Sequence, residues 1–173
     1  MTDTLTGTVT GTVAFTDIVG FTAYCAEVGD AAAVDLLGHQ DRLVRAVLPD
    51  GARIVKELGD GLMLWFPSAT DGVRACVELQ ARLAGSGDDF PLWLRVGLHT
   101  GEAVRRGDDL VGHHVNVASR IAGLAGPREI LVSDATRAAC GDAAGLGFHE
   151  VGPVRVKGVA EPIWIHRVES PTG

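Results

Sequence analysis

Two aspartates stand where solvation alone does not explain a carboxylate. Asp17 interrupts the apolar run Phe15-Thr16-Asp17-Ile18-Val19-Gly20-Phe21-Thr22. A carboxylate inside an apolar strand is costly unless it is paired or bound to a cation. Asp17 therefore reads either as a cap for the next helix or as a metal ligand. Gly20 lets the backbone approach a ligand, and the N–H groups of the Val19, Gly20, Phe21, Thr22 stretch fit a phosphate at a helix start. Asp60 lies between Gly59 and Gly61. That is an ordinary place for a turn aspartate, but it gains weight beside Asp17. Hard oxygen ligands with no nearby Cys or His suit Mg²⁺ or Mn²⁺, not zinc. Asn116 and Arg120 are four apart and share one helix face. That face is either simply solvated, or it aims an arginine at phosphate and an asparagine at a sugar oxygen. The adjacent pair His113-His114 diverges on a helix or a strand and is not read as a metal site. The chain has no GxxxxGK[ST] loop, no GxGxxG after a strand and no GxSxG elbow. Metal-assisted phosphoryl chemistry is the strongest enzyme class left.

These residues need elements to carry them. Thr12–Val19 is β-branched and apolar and reads as a buried strand ended by Gly20. Asp30–Leu48 follows a helical period. Arg53–Leu58 and Leu62–Phe66 read as a hairpin whose tip holds Asp60. A helix is expected from Thr70, as cap, to about Leu83, and a strand over Leu92–Thr100. Arg105–Asp109 reads as a charged loop. Val115–Leu124 is expected to be a helix with Val117, Ile121 and Leu124 inward. A strand over Glu129–Val132, a short helix capped by Ser133, and strands at Val154–Lys157 and Ile163–Val168 around a Gly158–Pro162 turn complete the chain. The order β-α-α-β-β-α-β-α-β-α-β-β gives an α+β fold: a ferredoxin-like βαββαβ sheet, helices on one face, with further C-terminal strands and helices. In that topology the first strand and the hairpin are neighbours, so Asp17 and Asp60 can converge.

The chain has 173 residues, enough for one domain with its own core. Residues 1–10 and 170–173 are expected to be tails around a domain at 11–169. With 15 Lys plus Arg against 22 Asp plus Glu, the formal charge is −7, which argues against a nucleic-acid partner. Cys25, Cys76 and Cys140 are far apart and odd in number, so reduced thiols and a cytoplasmic location are expected. No leader pattern and no apolar run of membrane-spanning length is read in the sequence.

Four motifs in order, Phe15–Thr22 (FTDIVGFT), Lys56–Gly61 (KELGDG), Arg95–Glu102 (RVGLHTGE) and Asp109–Arg120 (DLVGHHVNVASR), resemble the class III nucleotidyl cyclases. The adenylyl cyclases of actinobacterial type look closest, and the likeness runs from about Thr12 to Val168. The resemblance implies conversion of ATP to 3′,5′-cyclic AMP and pyrophosphate. It implies two divalent cations, Mg²⁺ or Mn²⁺, held by Asp17, Asp60 and the backbone carbonyl of Ile18. Lys56 and Asp109 match the residues that contact the adenine ring and its amino group. Asn116 matches the ribose-orienting asparagine, and Arg120 the transition-state arginine. Lys157 in Val-Lys-Gly resembles a late lysine that holds the terminal phosphates. The resemblance also implies a head-to-tail homodimer with shared sites. The alternatives are a guanylyl or relaxed-specificity cyclase, or a catalytically silent cyclase-like domain that binds nucleotide or a protein.

Overall fold

The computed structural model describes residues 6–143 and 145–169. The elements are β1 (Thr6–Val19), α1 (Phe21–Val28), α2 (Asp30–Val47), β2 (Arg53–Leu58), β3 (Gly61–Phe66), α3 (Ala69–Ala84), β4 (Trp93–Arg106), β5 (Asp109–Val111), α4 (His113–Leu124), β6 (Ile130–Ser133), α5 (Asp134–Cys140), β7 (Gly147–Val154) and β8 (Ile163–Glu169). They build one eight-stranded sheet in the order β2-β3-β1-β4-β6-β8-β7, with β5 pairing β4. The segment β2-β3-β1-β4 is antiparallel throughout. That is the expected ferredoxin-like core, with β6, β8 and β7 extending it past β4.

Period-2 alternation sorts β1 between two layers. Ala14 and Ile18 face one side, where Leu36 and Val44 of α2 and Val73, Cys76, Leu79 and Leu83 of α3 bury them with Leu62, Leu64 and Phe66 of β3 and Leu94, Val96 and Leu98 of β4. Val13 faces the other side, packed with Met63, Ala103 and Leu110 under Val115 and Ala118 of α4, and Phe15 packs against this cluster. The helices of the βαββαβ core thus share one face, covered by α2 and α3, while α4, which follows that core, lies on the other. On α4 the inward residues are Val115, Val117, Ala118, Ile121 and Ala122, whereas Leu124 is exposed.

Gly97 and Gly101 explain why α4 can lie so low on β4. A Cβ at Gly97 would sit 2.1 Å from the Ala122 nitrogen, and one at Gly101 would sit 2.4 Å from the His114 ring. The glycines of the RVGLHTGE motif are thus the seat of the helix that carries Asn116 and Arg120. Arg95, Gly97, His99 and Gly101 alternate onto that same face.

Several boundaries differ from the sequence reading. The strand starts at Thr6, so 6–10 belongs to the sheet and is no tail; residues 1–5 and 170–173 lie outside the described residues. Its partner β4 runs to Arg106, so Arg105–Asp109 is no open loop but a strand end, a tight turn at Gly107-Asp108 and the start of β5. Long pairing overrides the Thr/Gly-rich composition here, because the segment stays in register with β4 from Gly7↔Arg105 onward. The penultimate strand is Gly147–Val154, not Val154–Lys157. Gly152 and Pro153 hid it, since both read as breakers; the sheet absorbs them at a register shift between Glu150 and Gly152. The cap of α3 is Ser68, whose Oγ accepts from the Asp71 N–H at 3.2 Å, not Thr70.

Candidate active site

Strand pairing brings the two aspartates together. Asp17 is near the C-terminal end of β1, and the β2–β3 tip that holds Asp60 closes over that end. The Ile18 N–H donates to Asp60 Oδ2 at 3.3 Å. On the other side, Asp17 pairs in register with Arg95 of β4. Arg95 Nε and Nη2 both donate to Asp17 Oδ2, at 2.9 and 2.6 Å. Burial, and then the Asp17 carboxylate as hydrogen-bond partner and like charge, push the Asp60 carboxyl above its ordinary value. A carboxylate raised by burial and by a second carboxylate beside it marks a place where a cation is favoured. Both Arg95 contacts fall on Asp17 Oδ2, and the Ile18 carbonyl follows Asp17 in the same strand. These are hard oxygen donors, so the residues fit Mg²⁺ or Mn²⁺. Among the described residues no cluster of three or more His, Cys, Asp or Glu is arranged for a metal, which leaves this two-carboxylate set as the candidate.

A pocket of about 210 Å³ opens beside Asp17. Phe15, Arg95, Leu58 and Gly61 line it, with Ser119 and Gly123 of α4. The start of α1 borders the same strand end. Gly20 turns the chain in the left-handed region, φ 80°, where a side chain would be strained. Tyr24 donates the first intrahelical bond back to Gly20, so the N–H groups of Phe21 and Thr22 precede it and point out of the helix start.

A second cluster forms where the β2 strand meets the β4–β5 turn. Lys56 Nζ lies 2.9 Å from Asp109 Oδ2, and Arg53 Nη1 donates to the Asp108 carbonyl at 2.8 Å. Burial opposes ionisation of Asp109, but the hydrogen bond from Lys56, the Leu110 N–H and the nearby positive charges outweigh it. The carboxyl is held below its ordinary value. Asp109 is therefore an ionised acceptor and Lys56 a donor, side by side.

Asn116 and Arg120 occupy the outer face of α4, opposite the buried row, and both are exposed. Among the described residues neither makes a side-chain hydrogen bond or ion pair, and neither contacts Asp17 or Asp60. Lys157 is exposed in the turn between β7 and β8 and joins neither cluster. The structure thus gathers Asp17, Asp60 and Ile18 at one place and Lys56 with Asp109 at another. It leaves Asn116, Arg120 and Lys157 open.

Sequence reasoning missed Arg95 as the partner of Asp17. An arginine at an inward-alternating position of an apolar strand was the available signal, but only the β1–β4 register shows what it meets. It also set aside His114, whose ring turns inward to His99 with Nδ1 and Nε2 2.8 Å apart.

Comparison with known proteins shows the family and the fold. Residues 6–169 match the adenylate and guanylate cyclase catalytic domain. The chain belongs to that family and is a class III cyclase domain. It is similar to the pH-sensitive adenylate cyclase MT1302 of Mycobacterium tuberculosis, 35% identical over 91% of this chain and 40% of that protein. It is also similar to an adenylate cyclase of Streptomyces griseus, 32% identical over 71% of this chain and 31% of that protein. The chain thus spans less than half the length of these curated relatives. Among solved structures, the adenylyl cyclase CyaB of P. aeruginosa superposes with a TM-score of 0.85 at 27% identity, covering 95% of each chain. A guanylyl cyclase superposes with a TM-score of 0.80 at 26% identity, covering 94% of this chain and 92% of that one.

Proposed function

We propose that this domain is an adenylate cyclase, and the Lys56–Asp109 pair carries that choice within the family. Adenine presents an acceptor at N1 and a donor at its amino group. Lys56 is donor-only and ionised Asp109 acceptor-only, which matches both. Guanine reverses the two, and a site left with mismatched polar groups rejects strongly. The adenylate cyclases among the relatives support the same reading.

The reaction joins the ribose 3′-oxygen to the α-phosphorus, releases pyrophosphate and frees the 3′-hydroxyl proton. Asp17, Asp60 and the Ile18 carbonyl would hold two divalent cations. When bound, these neutralise triphosphate charge and lower the pKa of the 3′-hydroxyl. The N–H groups of the Val19–Thr22 stretch cradle phosphate oxygens, and Lys157 reaches the terminal ones. Asn116 holds the ribose bent toward the phosphorus, which supplies orientation. Arg120 donates to the α-phosphoryl oxygens as charge grows there, where a preorganised donor is most effective.

Among the described residues Asn116 and Arg120 have no side-chain hydrogen-bond or ion-pair partner, and they lie on α4 while the carboxylates lie on β1 and the β2–β3 tip. That supports a head-to-tail homodimer in which one chain's Asp17 and Asp60 meet the other chain's Lys56–Asp109 pair, Asn116 and Arg120. A cytoplasmic setting fits the ATP substrate and the free thiols of Cys25, Cys76 and Cys140; no helix among the described residues is long and apolar enough to cross a membrane. To test the base choice, Lys56 is replaced by Glu and Asp109 by Ala, and cyclic products from ATP and GTP are compared. The preference for ATP should fall by on the order of tenfold or more. Unchanged discrimination contradicts the assignment.

A further inference from the structure

We propose that His114 is a positioning residue: its ring, seated on Gly101 and hydrogen-bonded to His99, sets the tilt of α4 and hence the aim of Asn116 and Arg120. The inference rests on the roles proposed for those two residues.

The first turn of α4 needs an anchor. Its N-cap is Gly112, which supplies no side-chain cap. A helix start without a cap is free to fray and shift. His114 lies in that turn, two residues before Asn116. Its ring lies over Gly101 so closely that a Cβ there would come within 2.4 to 2.8 Å of three ring atoms. His114 Nδ1 meets His99 Nε2 at 2.8 Å, and His99 Nδ1 meets Ser133 Oγ at 2.6 Å. The chain of bonds continues. Ser133 Oγ is 3.3 Å from Thr136 Oγ1, which is 3.0 Å from Thr100 Oγ1, which is 2.8 Å from Thr12 Oγ1. The start of α4 is therefore tied through β4 to α5, β6 and β1. His99, Ser133, Thr136, Thr100 and Thr12 make few bonds outside this chain, and His99, Ser133, Thr136 and Thr12 are buried. A buried polar network fully engaged in this way specifies one geometry.

One of the two facing ring nitrogens donates and the other accepts, and a neutral His99 satisfies either arrangement because the Ser133 hydroxyl at its other nitrogen can accept or donate. Lost alignment at the reacting atoms is expensive, since a shift near 1 Å can cost on the order of 10²-fold in rate.

The full chain is used for the test, with cyclic AMP formation and amide hydrogen exchange as paired readouts. His114→Ala removes the anchor. His114→Asn places an amide group where Nδ1 was and keeps the bond to His99. The expected result is a kcat for His114→Ala lower by on the order of tenfold or more, with KM for ATP little changed. His114→Asn should recover most of the rate. Gly101→Ala, which displaces the ring, should lower kcat alone but add little in the His114→Ala background. Exchange of the Asn116 amide, which donates to the Gly112 carbonyl at 3.2 Å, should speed up in His114→Ala and not in His114→Asn. Equal rates and equal exchange in the Ala and Asn variants, or additive losses in the Gly101 double variant, overturn the proposal. If the wild-type chain forms no cyclic nucleotide, the functional reading fails, while the exchange experiment still decides whether His114 holds α4.

Discussion

Acidification should weaken this fold through His99 in a way that can be isolated. Burial first, and then the neighbouring His114 and His113, lower the His99 value from 6.5 to about 4. A histidine whose folded value lies below its unfolded value is a proton acceptor only after unfolding. Its contribution to stability is complete above about pH 6.5 and is lost as the pH falls toward 4. Between pH 7 and pH 5 the unfolded chain becomes protonated at this site and the folded chain does not. For values of 6.5 and about 4, the linkage integral gives a loss of about 2 kcal/mol over that interval. The assay is urea unfolding at pH 7, 6 and 5, at one fixed chain concentration so that association does not shift the midpoint. His99→Gln serves as the reference, because the carboxylates common to both chains cancel in the difference. Wild type should lose about 2 kcal/mol more than the variant between pH 7 and pH 5. Parallel losses in the two chains would refute a neutral, buried His99.

Two further outcomes follow from the candidate site. Mixing inactive Asp17→Ala chains with inactive Arg120→Ala chains should restore part of the activity, because a mixed dimer would contain one site with both residues intact; no recovery despite demonstrated mixing contradicts shared sites. Asp60→Asn should raise the Tm of the metal-free protein, since the raised Asp60 value means that its charge is a cost at neutral pH. The same variant should no longer gain Tm on adding Mn²⁺, whereas the wild type should.

The parts of the site legible in the sequence were those set by local pattern. An aspartate in an apolar strand, a Gly-Asp-Gly tip and an i, i+4 Asn/Arg pair each place themselves, and the βαββαβ order made the first two neighbours. What stayed hidden depends on register and on close approach. The pairing Asp17↔Arg95 exists only because β1 and β4 run antiparallel over fourteen residues each. Gly97 and Gly101 look like ordinary strand weakeners until α4 is laid on them. The inward turn of His114 toward His99 had no local signature. The late hairpin was misplaced because Val154–Lys157 alternates while the true strand contains Gly152 and Pro153. The exposed Lys157 lies in a turn that follows, so its proposed contact with phosphate rests on its motif and not on a partner among the described residues.

Cyclisation of ATP, the activity proposed for this chain, can be read directly. Purified protein should be incubated with ATP or GTP in the presence of Mn²⁺ or Mg²⁺, and the products separated by chromatography. The expected products are 3′,5′-cyclic AMP and pyrophosphate from ATP, far less product from GTP, and none from the Asp17→Ala chain. Absence of cyclic product from either nucleotide, at chain concentrations where a dimer is present, would contradict the proposed activity.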